Sequence, residues 1–295
     1  MTDQATRLRG LAEQHDARVE QRASPVPHRA RTIAVTSGKG GVGKSNVALN
    51  LAVAARRLGK SVCLLDACLG LGSIDLLCGL NGYWNLSHVV TGSRSLSDVV
   101  LDGPEGIHVI SGASGLIELA DCPETVQREL LLQMEELERE HDLLIVDTST
   151  GIHRMVRQFA TAADQVLIVT MPEVTAIADA YATIKALSAP DAPPLDVVVN
   201  QADSPSQAKA IADRLKQTSK MFLQTHVGFA GHVSRDAAVA RAVASRTPFV
   251  IDSPRCAAAA DVGQLARRVI SSGGSLQTFQ SYFDRFRHGR TSRSA

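Results

Sequence analysis

The chain has 295 residues, 44% of them hydrophobic, and a formal net charge of +1 at pH 7. This length and apolar content can bury a sizeable core, and a charge so close to zero gives no reason to expect a nucleic acid or an acidic surface as partner. The five cysteines form no C-x-x-C pair and no apolar run approaches about 18 residues, which argues against a disulfide framework, an iron–sulfur or zinc site and a membrane span.

Strand and helix patterns alternate along the chain from residue 31 onward, after a polar segment at 1–30 that contains a predicted helix at 3–20 and a basic, proline-containing linker. The predicted strands lie at 31–36, 61–66, 107–111, 142–147, 164–171, 195–200 and 222–227. The predicted helices lie near 44–58, 73–79, 123–140, 153–161, 175–188, 204–218, 236–244 and 255–271. The alternation predicts an α/β fold, a mostly parallel twisted sheet with helices on both faces and ligands at the carboxyl ends of the strands.

A glycine-rich segment at 36–46, with the sequence TSGKGGVGKSN, joins the first strand to the first helix of this pattern. A strand, a glycine-rich loop, Lys-Ser and a helix are together typical of a phosphate-binding loop. We expect Lys44 to reach the β- and γ-phosphates of a nucleotide and Ser45 to ligate Mg²⁺. A second lysine, Lys39, also lies in the loop, although a phosphate-binding loop does not need it. Its charge would have a role only if it met another phosphate, for example across a dimer. The candidate nucleotide-binding residues of the loop are Gly40, Gly41, Val42, Gly43, Lys44, Ser45 and Asn46.

The predicted strand at 61–66 ends at Asp66 and leads into a glycine-rich loop that runs to Asp75. Such a loop could report a γ-phosphate by becoming ordered or disordered. The alternative is a plain loop in which Asp75 caps the following helix.

The predicted strand at 142–147 places Asp147 at the end of an apolar run. Beside a phosphate loop this is the position of the Walker B aspartate, which orients Mg²⁺ or its water shell. A capping aspartate at the end of a buried strand is the alternative. Gly151 follows four residues later, where its backbone N–H could meet a γ-phosphate.

In combination, these motifs resemble the MinD/ParA class of dimerising ATPases. Residues 39–45 resemble the deviant Walker A motif of that class, 66–75 its switch I and 147–152 its switch II, and the segment 172–181, PEVTAIADAY, resembles a further block. The resemblance covers 31–271 and implies a P-loop NTPase that takes ATP and Mg²⁺ and forms an ATP-dependent homodimer. The catalytic residues that it implies are Lys39, Lys44, Asp66 and Asp147, and the Mg²⁺ ligands that it implies are Ser45, Asp66 and Asp147.

The N-terminal segment narrows the resemblance. Residues 3–9 read DQATRLR, which is similar to the activator motif D-Q-A-x-x-L-R of the FlhG family of flagellar-number ATPases, also called FleN. In that family the helix stimulates FlhF, a signal-recognition-type GTPase that marks the flagellar site. The resemblance thus implies an activator helix and linker at 1–30 before an ATPase domain at 31–272. The partner-binding residues would be Asp3, Gln4, Ala5, Leu8 and Arg9.

Two further roles follow from the resemblance alone. Asn200 would contact the adenine, although a strand-end asparagine can also simply make a turn. Lys39 would cross a nucleotide-sandwich dimer and touch the phosphates of the partner.

The chain departs from the family pattern in both switch motifs. Cys68 stands where switch I usually has a second aspartate, which helps to position the attacking water. Cysteine cannot accept the same hydrogen bonds and is mostly protonated at neutral pH. Ser149 and Thr150 also replace a small residue and an alanine in switch II. We therefore expect hydrolysis that is slow or undetectable, unless Asp75 or a backbone group takes over the missing role.

Apolar residues at helical spacing follow a Gly-Gly break in the segment 273–295. They fall within about 120° of arc at 100° per residue, and arginines follow them, which is typical of a helix in a membrane interface. The resembling family often ends in such a helix, which is autoinhibitory until dimerisation frees it. The alternative is a helix that packs on the core. The predicted membrane-binding residues are Leu276, Phe279, Tyr282, Phe283 and Phe286.

The sequence therefore predicts an ATPase in the cytoplasm, peripheral to the inner face of the cell membrane. By resemblance, its partners would be an FlhF-type GTPase and either flagellar switch (C-ring) components or a flagellar transcription regulator. One alternative is a ParA-like DNA-partitioning ATPase, which the near-neutral charge disfavours. Another is a non-hydrolysing ATP-binding scaffold, in which Cys68 marks the loss of catalysis.

Overall fold

A computed structural model describes most of the predicted ATPase domain. It describes residues 29–67, 73–112, 133–190 and 192–271, without the side chains of 154 and 155. The predicted N-terminal helix, Cys68, the first part of the helix at 123–140 and the predicted membrane-binding segment lie outside the described residues.

The strands and helices of the described residues alternate as expected. The strands are β1 (Arg31–Ser37), β2 (Val62–Ala67), β3 (Val100–Asp102), β4 (His108–Ile110), β5 (Leu143–Thr150), β6 (Gln165–Thr170), β7 (Leu195–Ala202) and β8 (Val227–Ser234). The helices are α1 (Lys44–Arg57), α2 (Ile74–Leu77), α3 (Leu86–Val90), α4 (133–140), α5 (Arg154–Ala162), α6 (Val174–Leu187), α7 (Pro205–Leu223), α8 (Ala237–Ala244), α9 (Phe249–Asp252) and α10 (Ala257–Ser271). Within the described ranges, no helix has both the length and the apolar character needed to span a bilayer.

The eight strands form one sheet in the order β3-β4-β2-β5-β1-β6-β7-β8. Every neighbouring pair is parallel except β3 and β4, which are antiparallel. The chain order reverses at β1, which lies between β5 and β6, so a ligand is expected at the carboxyl end of this strand. The carboxyl ends of β2 and β5 meet there as well, which brings both strand-end aspartates to one edge of the sheet.

The core is built around α1, in which ten of fourteen residues are buried. Its small and branched apolar residues lie between the sheet and α10, in the same cluster as the apolar face of that helix. A helix held this firmly fixes the position of its first turn, which begins with Lys44 and Ser45. The nucleotide-binding residues therefore stand on a rigid element.

The fold class is as predicted, and six of the seven predicted strands are confirmed as β1, β2, β4, β5, β6 and β7. The seventh, at 222–227, is wrong, because Met221, Phe222 and Leu223 still belong to α7. The strand that follows, β8, contains Gly228 and Gly231, whose low strand propensity hides it. The short elements α3, α9 and β3 were not predicted.

Strand β8 is an edge strand, and side chains of α10 occupy part of its open side. Arg268 donates a hydrogen bond to the Ala230 carbonyl oxygen at 3.0 Å. The Ser234 backbone N–H donates to Asp261 Oδ2 at 2.8 Å. Because these backbone groups are already bonded, pairing of β8 with a further strand is disfavoured.

Candidate active site

The phosphate loop lies between β1 and α1, pressed against two neighbouring elements. Gly43 has a left-handed backbone, with φ at 85°, and a Cβ there would also collide with the Asn200 amide. A Cβ at Gly38 would strike the Asp179 carbonyl oxygen on α6. These close approaches hold the loop between α6 and β7, open to the N-terminus of α1, where backbone N–H groups and the helix dipole favour a phosphate.

A buried ion pair lies beneath the loop. Lys44 Nζ is 2.5 Å from Asp147 Oδ1, and the two residues are 6% and 0% exposed. Burial raises the pKa of Asp147, and the charge of Lys44 opposes that shift. The lysine and the aspartate that were predicted from separate motifs are thus direct partners in this structure.

The second oxygen of Asp147 fits a role toward a metal ion. Asp147 Oδ2 is buried and has no hydrogen-bond partner among the described residues. The Ser45 hydroxyl belongs to the same part of the site, since Ser45 lines the cavity above this pair. A carboxylate oxygen and a hydroxyl are the ligands that Mg²⁺ takes in phosphate-loop proteins, so this pair of residues could hold Mg²⁺ or its water shell.

Asp66 is the register partner of Asp147 on the neighbouring strand. Its Oδ2 accepts hydrogen bonds from the backbone N–H groups of Ser73 at 3.0 Å and Ile74 at 3.3 Å. Asp66 therefore anchors the start of α2, a contact that the alternative interpretation assigned to Asp75. That alternative is wrong in this respect, because Asp75 Oδ1 accepts from the N–H of the adjacent Leu76 instead.

Switch II is joined to the end of β1 by backbone hydrogen bonding. The Gly151 N–H, expected to meet a γ-phosphate, donates to the Ser37 carbonyl oxygen at 2.8 Å. The Thr148 hydroxyl donates to the Val35 carbonyl oxygen at 3.1 Å. A γ-phosphate could take the Gly151 N–H only if its bond to Ser37 opened.

A cavity of about 590 Å³ opens above these residues and brings most of the predicted loop residues together. Its lining residues are Ser37, Gly41, Val42, Gly43, Lys44, Ser45, Asn46, Ser73, Leu77, Ser149, Thr150 and His153. Asp75 is not among them. His153 does line the cavity, and it was not predicted from the sequence, although its place directly after switch II is a signal that could have revealed it.

Lys39 has a partner within its own chain. Its Nζ lies 2.5 Å from Glu173 Oε2 and 2.9 Å from Thr175 Oγ1, at the start of α6. The expectation that its charge has no use without a second phosphate is therefore wrong for this structure. The pair is 35% and 47% exposed, so water screens it and it contributes little to stability.

Asn200 braces the phosphate loop. Its Nδ2 donates to the Val42 carbonyl oxygen at 2.7 Å, and the residue is 8% exposed. The amide therefore helps to shape the loop at the point where Gly43 leaves no room for a Cβ. Contact with an adenine remains a prediction.

Comparisons with known proteins agree with this geometry. A family model described as ParA, NUBPL iron-transfer P-loop NTPase, matches residues 28–270. The antiactivator FleN of Pseudomonas aeruginosa is 36% identical over 83% of this chain and 88% of FleN. The flagellum site-determining protein YlxH of Helicobacter pylori is 29% identical over 92% of this chain and 91% of YlxH. Among solved structures, the MinC:MinD cell division complex of Aquifex aeolicus has a TM-score of 0.67 at 25% identity, over 84% of this chain and 98% of the matched chain.

Proposed function

The chain belongs to the ParA family of P-loop NTPases, in its MinD-like branch of ATPases, and we propose that it binds Mg-ATP, dimerises on it and regulates flagellar number or placement. The observation that supports ATP binding most directly is the buried Lys44–Asp147 pair at the base of the phosphate cavity. It supplies one cation for phosphates and one carboxylate for a metal ion, side by side.

Nucleotide binding would rearrange this pair. Phosphates entering the cavity would draw Lys44 Nζ away from Asp147 Oδ1, because a phosphate carries more negative charge than one carboxylate. Asp147 would then turn to Mg²⁺ together with Ser45, and Asp66 would stay at the start of α2. Bound Mg²⁺ would neutralise charge on the β- and γ-phosphates.

Dimerisation would use the exposed Lys39. Its ion pair with Glu173 lies at the protein surface and is weak enough to exchange. The phosphates of a partner subunit would offer Lys39 a higher charge than Glu173 does. Val174, beside this pair, is 87% exposed and would be covered in such a dimer.

The flagellar role rests on the relatives and on the N-terminal motif. FleN is named an antiactivator and YlxH a flagellum site-determining protein. We infer that the segment 1–30 stimulates an FlhF-type GTPase. Switch or C-ring components, or a flagellar transcription regulator, would be the further partners.

The segment 273–295 would hold the dimer at a membrane surface. Its apolar arc and its basic end are typical of an interfacial helix. This would place the ATP-bound dimer at the inner face of the cell membrane. Packing of this segment on the core is the competing proposal.

Iron transfer, which appears in the description of the matching family model, is not proposed for this chain. The sequence contains no C-x-x-C pair. Within the described ranges, no three side chains of the metal-binding types form a group. An ATP-binding scaffold without hydrolysis remains the second candidate, because Cys68 replaces an aspartate in switch I.

Two measurements on the full-length protein test the proposal together. Size-exclusion chromatography with light scattering should give a dimer with ATP and Mg²⁺ and a monomer with ADP. Phosphate release should be slow, and ATP should increase binding to anionic vesicles. A protein that stays monomeric and leaves vesicles unbound at saturating ATP would contradict the proposal, and a DNA mobility shift at physiological salt would favour the partitioning alternative.

A further inference from the structure

One titratable side chain at the phosphate cavity has no role in the function proposed so far. His153 is the N-cap residue of α5, directly after switch II, and lines the same cavity as Lys44 and Ser45. Its ring lies beside Gly151, where a Cβ would stand 3.4 Å from His153 Nε2. The imidazole is therefore next to the switch II backbone expected to meet a γ-phosphate.

The imidazole ring of His153 does not cap α5, the helix that follows it. The side chain of His153 accepts no hydrogen bond from the first N–H groups of α5. Serine, threonine, aspartate and asparagine are the residues that cap helices well. Within the described part of the chain, neither ring nitrogen of His153 has a hydrogen-bond partner, so the imidazole can bond to a ligand or a water in the cavity.

The other lining groups cannot accept a proton at neutral pH. Among the described residues that line the cavity, only Lys44 and His153 have titratable side chains, and Lys44 is bonded to Asp147. The hydroxyls of Ser45 and Thr150 are too weakly basic to hold a proton. A neutral imidazole has one unprotonated nitrogen, which is suited to this task.

The geometry points to His153 as the catalytic base that orients and deprotonates the water attacking the γ-phosphate, an inference that rests on the ATP binding proposed above. The water oxygen forms a bond to the γ-phosphorus while the bond from that phosphorus to the β–γ bridging oxygen breaks. The electron pair of the broken bond leaves on ADP. The proton lost by the water moves to the unprotonated ring nitrogen of His153 and passes from there to solvent.

The test compares wild type with His153→Asn and His153→Ser, which remove the imidazole and add a good helix cap, so that loss of folding is not expected. Single-turnover hydrolysis of radiolabelled ATP should slow about 10- to 100-fold in both variants, at the lower end of what a positioned base contributes. The KM for ATP, and calorimetric affinity for a non-hydrolysable ATP analogue, should stay within about threefold of wild type, because phosphate contacts remain.

The pH profile separates a base from a merely structural residue. A base in the hydrolysis step makes the turnover of wild type depend on pH, and the part of this dependence that the base confers should disappear in both variants. Among the described side chains, Lys44 lines the same cavity as the ring and Arg157 follows one turn along α5, and both are kept in the variants. His226→Asn, at an exposed histidine remote from the cavity, is the matched control and should behave as wild type.

The inference is overturned if either variant hydrolyses ATP at the wild-type rate with the wild-type pH profile. It is also overturned if wild type hydrolyses no ATP over hours, because a protein without hydrolysis has no catalytic base. Loss of analogue binding in wild type itself would instead contradict the proposed function. The two failures are therefore distinguishable.

Discussion

Lys39 Nζ and the Glu173 carboxylate lie 2.5 Å apart, so the second lysine of the phosphate loop is bonded to the start of α6 of its own chain. ATP binding to one subunit does not require this contact, whereas a dimer in which Lys39 reaches across must break it. Lys39→Ala should therefore bind ATP with nearly wild-type affinity and fail to dimerise. Calorimetry and light scattering with ATP measure the two effects separately.

The matched control for this prediction is Glu173→Gln. It removes the competing carboxylate and leaves Lys39 in place, so it should dimerise at the same or a lower ATP concentration. The exposed ion pair contributes about 1 kcal/mol or less, which limits the expected gain. ATP-dependent dimerisation of Lys39→Ala would contradict the role in the partner's site.

The buried Lys44–Asp147 pair supports both binding and folding. Lys44→Ala should abolish ATP binding, because it removes the main charge on the β- and γ-phosphates. It should also destabilise the fold by about 3 kcal/mol or more, since it leaves an unpaired carboxylate in the interior. Calorimetry and urea unfolding measure these effects, with Lys209→Ala, at an exposed lysine, as the control.

The destabilisation should depend on pH in a defined direction. Burial raises the pKa of Asp147, so the folded variant can relieve the unpaired charge by taking up a proton. A carboxyl group whose pKa is raised by folding makes the folded protein less stable as the pH rises. The loss of unfolding free energy caused by Lys44→Ala should therefore be smaller at acidic than at neutral pH. Retained ATP affinity in this variant would overturn the phosphate-loop assignment.

A second pH effect concerns the buried His141. Its Nε2 lies 2.8 Å from His108 Nδ1, and its Nδ1 lies 2.8 Å from the Leu137 carbonyl oxygen. Its pKa is lowered from the ordinary value of 6.5, mainly by burial and also by His108, while the Leu137 carbonyl, Glu140 and Asp142 oppose the shift.

The unfolded chain therefore binds this proton at a higher pH than the folded protein does. The stability that the neutral His141 contributes is fully present above about pH 6.5, and it should be lost as the pH falls from there through the lowered pKa of the folded protein. His141→Gln should weaken this dependence in urea unfolding between about pH 5 and 8, and His226→Gln should leave it unchanged. If the unfolding free energy of wild type and of His141→Gln falls equally steeply toward acidic pH, other titratable groups cause that fall.

The sequence predicts the parts of the site that follow from strand ends and local motifs. Lys44 and Asp147 were assigned from two such motifs, and the parallel sheet brings them together because β1 and β5 are neighbours. The Lys39–Glu173 pair could not be predicted in this way, since it joins residues 134 positions apart through the packing of α6 against the loop. Strand β8 was missed because it contains Gly228, which lies against the Asp196 side chain, at a position where strand propensity favours a branched residue.

The N-terminal segment should be separable from the ATPase core. The described core begins with Arg29 and Ala30, and both are tied to Glu138, through an ion pair and a backbone hydrogen bond. Deletion of residues 1–20 should therefore leave the core folded and able to bind ATP, and should remove stimulation of the partner GTPase.

A peptide of residues 1–20 should stimulate an FlhF-type GTPase without the core. The matched control peptide carries Leu8→Ala and Arg9→Ala and should be inactive. Absence of stimulation by both the wild-type peptide and the full-length protein would eliminate this partner.

Cys68 belongs to the switch I motif and lies outside the described residues. The chain keeps Lys44, Ser45 and Asp147 for binding Mg-ATP, and it lacks the carboxylate usually found beside the attacking water. Wild-type hydrolysis should therefore be slow and the ATP-bound dimer long-lived. Cys68→Asp should raise turnover by roughly 10-fold or more, at the low end of what a positioned acid–base group contributes.

The ATP affinity of Cys68→Asp should change little, because the added carboxylate would act on the water and not on the phosphates. Phosphate release under saturating ATP and calorimetry with a non-hydrolysable analogue separate these effects, and Cys68→Ser is the control that adds no carboxylate. If Cys68→Asp leaves the rate unchanged while His153→Asn lowers it, the imidazole at the cavity already does the work of the missing aspartate. An unchanged rate in both variants would direct the search to Asp75, which would have to move, because it does not line the cavity in this structure.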